Sequence, residues 1–153
     1  MRPVLPPNAL PRRRPVAEES TSPDLVELTR RSIEAQEESI EAAVSFYAPD
    51  AVWDASWGMG VFEGQEAVRG FFRDWRSPYD EMAREIESIR DLGNGVTFAV
   101  IVQTGRVLRS SGTVQLRYGS VMEWSDGLIV RNTTYPDIDE ARAVAERLAA
   151  ERK

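Results

Sequence analysis

The sequence predicts an α+β domain: helices first, then a curved sheet, then a closing helix. Three observations predict it. Apolar residues recur at helical spacing through the segment before Pro49 and again after Gly64. From about Met82 the period shortens to two, in four runs separated by glycine-bearing turns. The segment after Pro136 returns to helical spacing.

The elements follow in order. Residues 1–22 carry Pro3, Pro6, Pro7, Pro11 and Pro15 with Arg2, Arg12, Arg13 and Arg14. Proline breaks any helix there, and the apolar content is too low for a core, so a disordered or extended tail is expected. The domain is expected over 23–153. Ser22 is the expected cap of the first helix, with Pro23 in its first turn. Leu25, Leu28, Ile33, Ile40 and Val44 give its apolar stripe, and Glu37, Glu38 and Ser39 mark a turn into a second short helix. Pro49 and Asp50 stop that helix, and 51–55 reads as a short strand. Gly58, Gly60 and Gly64 form a loop. Over 65–75 Val68, Phe71, Phe72 and Trp75 share one helical face. Four strands are expected at roughly 82–91, 95–109, 113–124 and 128–135, joined by turns at 92–95, 110–112 and 125–127. The last helix, 137–153, takes Asp137 or Asp139 as cap and Val144 and Leu148 as its apolar side. The helices are expected on one face of the sheet.

Composition removes several chemistries. The 153-residue chain has neither cysteine nor histidine. Disulfides, thiolates and every histidine-dependent triad are excluded, and zinc would have carboxylates alone. Neither metal nor cofactor is expected. The net charge of −6 repels phosphate backbones, so nucleic acid is not an expected partner. Every basic residue except Lys153 is arginine, which leaves no internal lysine for Schiff-base chemistry. No apolar run is long enough to span a membrane. With no cysteine and no apolar core of a secretory signal, a cytoplasmic protein is expected.

Taken as an ordered set, the helical start, YAPDAVWDA, GVFEGQEAVRGFFRDW and a meander closing with WSDGLIVRNTTY resemble the nuclear transport factor 2-like superfamily. Within it the chain is similar to the SnoaL-like group, which includes polyketide cyclases and ketosteroid isomerase-like proteins. The resemblance runs from about residue 24 to 150. It implies a cone: a curved antiparallel, cystatin-like sheet wrapped around the N-terminal helices, with a C-terminal helix and a pocket open at one end. It also implies a homodimer through the outer sheet face. The superfamily holds both enzymes and binding domains without chemistry, so the fold does not settle function.

The resemblance further implies which side chains face the pocket. Aligned on the Asp126-Gly127 hairpin, Val130, Asn132 and Thr134 point inward, as do Leu116, Tyr118, Ser120 and Met122. Thr134 stands where the superfamily's epoxide hydrolase has a catalytic aspartate, and Thr104 and Arg106 stand near its strand partners. Ser120 falls about where ketosteroid isomerase has its oxyanion-donating aspartate. Neither set is complete. Asp54 admits two registers. One puts it at the isomerase's base position. The other needs no gap, points Trp53, Ala55 and Trp57 inward, and leaves Asp54 on the opposite face or rim; it is the preferred one.

The expected ligand-binding set is Trp53, Phe71, Trp75, Leu108, Ser120, Asn132 and Thr134, mostly aromatic with a few polar groups, the usual make-up of a small-molecule site. The catalytic candidates are Asp54 as base, with Tyr118 or Arg106 stabilising an enolate. Each has a structural reading beside it: aromatic core, a satisfied tyrosine hydroxyl, a rim carboxylate, and an Arg106 ion pair with Glu123, Glu63 or Asp54. The first functional expectation is a domain that binds an apolar or aromatic small molecule. The alternatives are a cofactor-free isomerase, cyclase or hydrolase, and a protein-interaction module.

Overall fold

The computed structural model describes residues 24–109 and 112–152. The expected tail, 1–22, lies outside the described residues, as do Ser110 and Ser111 of the second expected turn.

Helix α1 (Leu25–Glu38) is capped by Asp24, whose carboxylate accepts the Glu27 backbone N–H at 3.2 Å. The cap is therefore Asp24 rather than Ser22. Ser39 closes α1 and opens α2 (Ile40–Val44): its N–H donates to Ala35 at 3.2 Å, and its hydroxyl accepts from Ala42 at 3.0 Å. One residue with an extended backbone thus satisfies both helix ends.

Strand β1 (Tyr47–Ala55) starts earlier than expected. Pro49 and Asp50 do not stop a helix; they lie inside the strand, in an irregular stretch between the paired residues Tyr47 and Val52. A residue with no N–H is tolerated there because the ladder is already broken. The glycine loop contains a strand the sequence does not announce, β2 (Gly60–Glu63), which forms a hairpin with β1. Helix α3 (Gln65–Arg76) follows as expected.

The four expected runs become β3 (Tyr79–Gly93), β4 (Val96–Val107), β5 (Thr113–Ser125) and β6 (Leu128–Tyr135). The turns Asn94-Gly95 and Asp126-Gly127 carry positive φ at both residues, which matches the right-handed twist of the strands they join. Helix α4 (Ile138–Glu151) is capped by Asp137, which accepts from Glu140 at 3.1 Å.

The strand order is β2-β1-β6-β5-β4-β3. Every pair is antiparallel except β1 with β6. The sheet is curved and unclosed, and the fold is the expected α+β arrangement. A bulge places Val130 between Ile129, opposite Trp124, and Arg131, opposite Glu123. It turns Ile129 into the core beside the inward Asn132.

Helices α1, α2 and α3 fill the inner face with Ile33, Val44, Val68, Phe71 and Phe72 against Trp53, Ile101, Tyr118, Met122 and Trp124. A buried polar chain ties α1 to this face. Thr29 and Thr97 hydroxyls lie 2.9 Å apart, and Trp124 Nε1 donates to Thr97 Oγ1 at 3.0 Å.

The expectation that all helices share one face does not hold. Helix α4 covers the outer face, setting Ala141, Ala145 and Ala149 on Val96, Phe98, Val100 and Val121. Its buried stripe is these alanines, with Leu148 only partly buried beside them. Small side chains let the helix approach the sheet closely.

Candidate functional site

A crevice opens between α3, the end of α1 and the inner face of the sheet. Its lining is Gln36 from α1, Trp53 from β1, Trp57 and Met59 from the β1–β2 turn, and Phe71 and Trp75 from α3. The sheet adds Arg84, Gln103, Leu116, Tyr118 and Thr134 from β3, β4, β5, β5 and β6. The enclosed free volume is about 20 Å³, and about 310 Å³ of unfilled space is counted once the open mouth is included. The inner part has room for about one water molecule.

The aromatic wall is continuous. Trp53 lies 5.0 Å from Phe71 and meets Phe72 edge-on at 5.1 Å, while Phe71 stacks on Trp75 at 6.0 Å. Two indole N–H groups are fixed by polar partners: Trp75 Nε1 donates to Gln103 Oε1 and Trp57 Nε1 to Thr134 Oγ1, each at 3.1 Å. Trp57 stands at the mouth and is 41% exposed.

Tyr118 is buried in this lining, and burial pushes its hydroxyl above the ordinary tyrosine value. The Arg84 guanidinium beside it pulls the other way, by charge and by a hydrogen bond, and is outweighed. Tyr118 is therefore a neutral O–H donor at physiological pH. Behind it Ser120 donates to Asn132 Oδ1 at 2.6 Å, and Asn132 Nδ2 donates to the Tyr47 hydroxyl at 3.1 Å. These three lie below the crevice and do not line it.

The structure brings together Trp53, Phe71, Trp75, Tyr118 and Thr134 of the expected set. Ser120 and Asn132 point inward but bond to each other. Three expected residues lie elsewhere. Arg106 is on the outer side of β4, half exposed, 3.6 Å from Glu81 rather than from Glu123, Glu63 or Asp54. Leu108 is 44% exposed just past the end of β4. On β4 it is Ala99, Ile101 and Gln103 that face inward, so the even-numbered residues look out.

Asp54 also lies outside the crevice. Trp53 pairs with the inward Asn132, which places Asp54 on the opposite face. There its carboxylate accepts from Arg131 Nη2 at 2.6 Å and from the Ser56 backbone N–H at 3.0 Å. Burial works to raise its pKa, but the Ser56 and Arg131 contacts outweigh it and hold the carboxyl below the ordinary aspartate value.

The sequence reading missed Gln36, Met59, Arg84 and Gln103. Arg84 and Gln103 sit opposite each other on β3 and β4, with Leu116 next in the row on β5. Strand pairing would have linked the three once β4 was set in the right register. No lining residue is a carboxylate. Among the described residues no group of three or more acidic side chains is arranged to hold a metal ion, and no helix is long and apolar enough to cross a membrane.

The sequence pattern of the SnoaL-like domain matches residues 30–132. The chain belongs to the SnoaL-like domain family. No curated protein matches it by sequence. Solved structures similar to this SnoaL-like domain share its fold at low identity. A ketosteroid isomerase-like-fold protein from Catenulispora acidiphila, crystallised with trimethylamine, aligns with a TM-score of 0.66 at 12% identity, over 78% of this chain and 92% of its own. An uncharacterised cystatin-fold protein from Novosphingobium aromaticivorans gives 0.65 at 19%, over 74% and 99%. An LEH-like epoxide hydrolase from M. tuberculosis gives 0.62 at 15%, over 80% and 89%. TerC, co-crystallised with polyporic acid, gives 0.63 at 17%, over 80% and 97%. At these identities the likeness concerns the fold.

Proposed function

We propose that this SnoaL-like domain binds an apolar or aromatic small molecule in the crevice between α3 and the sheet. The observation that carries the reading is the convergence of Trp53, Trp57, Trp75 and Phe71 on one opening with a few polar side chains and no carboxylate. Large flat side chains around a few polar groups make a site for a flat ligand. Two structures of the same fold were obtained with small molecules, trimethylamine and polyporic acid, which supports the coarse reading without naming this chain's ligand.

The enclosed space is about 20 Å³, too little for an aromatic ring. Entry of a ring therefore needs the lining to shift, and Trp57, exposed at the mouth and anchored by Thr134 alone, is the member we propose moves. Three of the four tryptophans line the site, so occupation is readable directly. Titration with naphthalene-, steroid- and polyketide-like compounds should quench and shift tryptophan emission and raise the melting temperature. A panel that moves neither signal would sink the reading.

The proposal includes the homodimer that the family resemblance implies, through the outer sheet face that α4 leaves uncovered. Sedimentation that finds only monomer removes that part and leaves the binding site untouched.

A further inference from the structure

We propose that the ligand of this crevice is an aromatic carboxylate, its ring held by the tryptophans and its anionic oxygens by Arg84. The inference rests on the small-molecule reading above and narrows it to one chemical class.

Arg84 is the first observation. It projects from the inner face of β3, in register with Gln103. It borders the central crevice, a cleft toward α2 and an open groove between α1 and β3. Its Nε is buried without a hydrogen-bond partner, and its guanidinium forms no ion pair among the described residues. Other arginines do find carboxylates: Arg69 with Glu41 at 2.8 Å, Arg117 with Glu87 at 2.9 Å, Arg131 with Asp54 at 2.6 Å. The Glu37 carboxylate accepts from the Arg84 backbone N–H, at 2.6 Å, and not from the guanidinium. The acceptors on the guanidinium itself are neutral: the Tyr118 hydroxyl, and Met82 Sδ 3.4 Å from Nη2, a weak acceptor. A half-buried cation whose Nε has no partner and which has no counter-charge is costly, and a carboxylate would supply both with two parallel bonds.

The second observation is the sign of the neighbouring groups. Trp53 Nε1 is buried and unpartnered, and it too is a donor. Gln103 has its carbonyl taken by Trp75, which leaves its N–H groups. Tyr118 is neutral and supplies an O–H. No carboxylate lines the opening. A neutral hydrocarbon would leave every one of these donors empty, whereas a carboxylate brings only acceptors. The flat faces of Trp53, Phe71 and Trp75 match a ring attached to it.

The test compares 2-naphthoate with 2-naphthamide, which has the same ring and a neutral head, by isothermal titration calorimetry on the full chain. Naphthoate is expected to bind about tenfold to a hundredfold more tightly, the size of a charged hydrogen-bonded pair. Arg84→Gln should abolish that preference while naphthamide binding stays; Arg131→Gln, on the far face, should leave both unchanged. Should R84Q fail to fold, R84K carries the test: the charge without the fork should weaken naphthoate more than naphthamide. Equal affinities in the native protein, or a preference that survives R84Q, overturn the carboxylate inference and leave the aromatic site standing. Binding of neither probe counts against both.

Discussion

Asp54 Oδ2 meets Arg131 Nη2 at 2.6 Å on one face of the sheet, while Trp53, one residue earlier, walls the crevice on the other. Period-two alternation separates a structural carboxylate from a binding residue by a single step. Asp54→Asn is therefore expected to cost stability and leave ligand affinity unchanged. The cost is about 1 kcal/mol, because the Asp54 side chain is only 13% exposed but Arg131 is 40% exposed and screened by solvent. The sign with pH follows from the lowered folded-state value. Stability from the pair is complete above the unfolded aspartate value, about 3.9, and is lost as pH falls through the lower folded one. Denaturation curves for native and D54N proteins should differ at neutral pH and converge in acid. A loss of ligand binding in D54N would contradict the placement of this carboxylate.

Tyr47 predicts the opposite pH limb. Its ring is buried between Trp53 and Phe72, and burial raises its hydroxyl well above the ordinary value, against the pull of the Asn132 hydrogen bond. Tyr118 is shifted the same way. Stability is then complete below the unfolded tyrosine value, about 10, and falls as pH rises through the folded values. Alkaline unfolding should begin above about pH 10 and coincide with tyrosinate absorbance. Tyr47→Phe should be less stable at neutral pH by about 1 kcal/mol, having lost the Asn132 contact, and yet lose stability less steeply in alkali. Parallel pH slopes for the two proteins would show that Tyr47 is not the titrating group.

What the sequence makes legible follows from local physics. Asn94-Gly95 and Asp126-Gly127 demand tight hairpins, and the alternation in β5 correctly sends Tyr118 and Ser120 inward. On β4 the run VTFAVIVQ is apolar on both faces, because α4 covers the outer one. Alternation is erased there, and the register taken from resemblance turned the even-numbered Arg106 and Leu108 inward, whereas the odd-numbered Gln103 lines the crevice. Arg84 escapes notice for a related reason. Strand β3 carries charges on both parities, so an inward arginine between Ala83 and Glu85 reads as surface. Strand β2 has only four residues and gives no period to detect.

Trp57 should control the rate of entry. Its indole N–H has a single partner, Thr134 Oγ1, and the ring is partly exposed at the mouth. Trp57→Phe keeps an aromatic lid and removes the bond, worth about 1 kcal/mol, or about fivefold in rate if breaking it limits entry. Stopped-flow quenching of the remaining tryptophans by 2-naphthamide should show faster association, with the melting temperature lower by only about 2–4 °C. Thr134→Val should reproduce the acceleration with Trp57 in place. Rates unchanged in both variants would mean the ligand enters by another route.

Gly119 and Ala141 test the packing of α4. A Cβ on Gly119 would lie 2.6 Å from the Ala141 Cβ and 3.2 Å from the Phe98 ring. The Ala141 contact is between a strand and a helix at closest approach, with no flexible side chain to yield. Gly119→Ala should therefore push α4 away from the sheet, at about 1–3 kcal/mol for overpacking. Its backbone angle is not in the glycine-favouring region, so the cost is the contact and not strain. Removing the opposing methyl tests that directly. Ala141→Gly alone should lose about 1 kcal/mol of helix propensity. The double variant G119A/A141G should be more stable than the sum of the two single losses, a coupling that chemical denaturation can measure. Additive losses would show that α4 does not rest on Gly119. Because α4 packs opposite the crevice, none of the three variants should change the affinity for an aromatic probe.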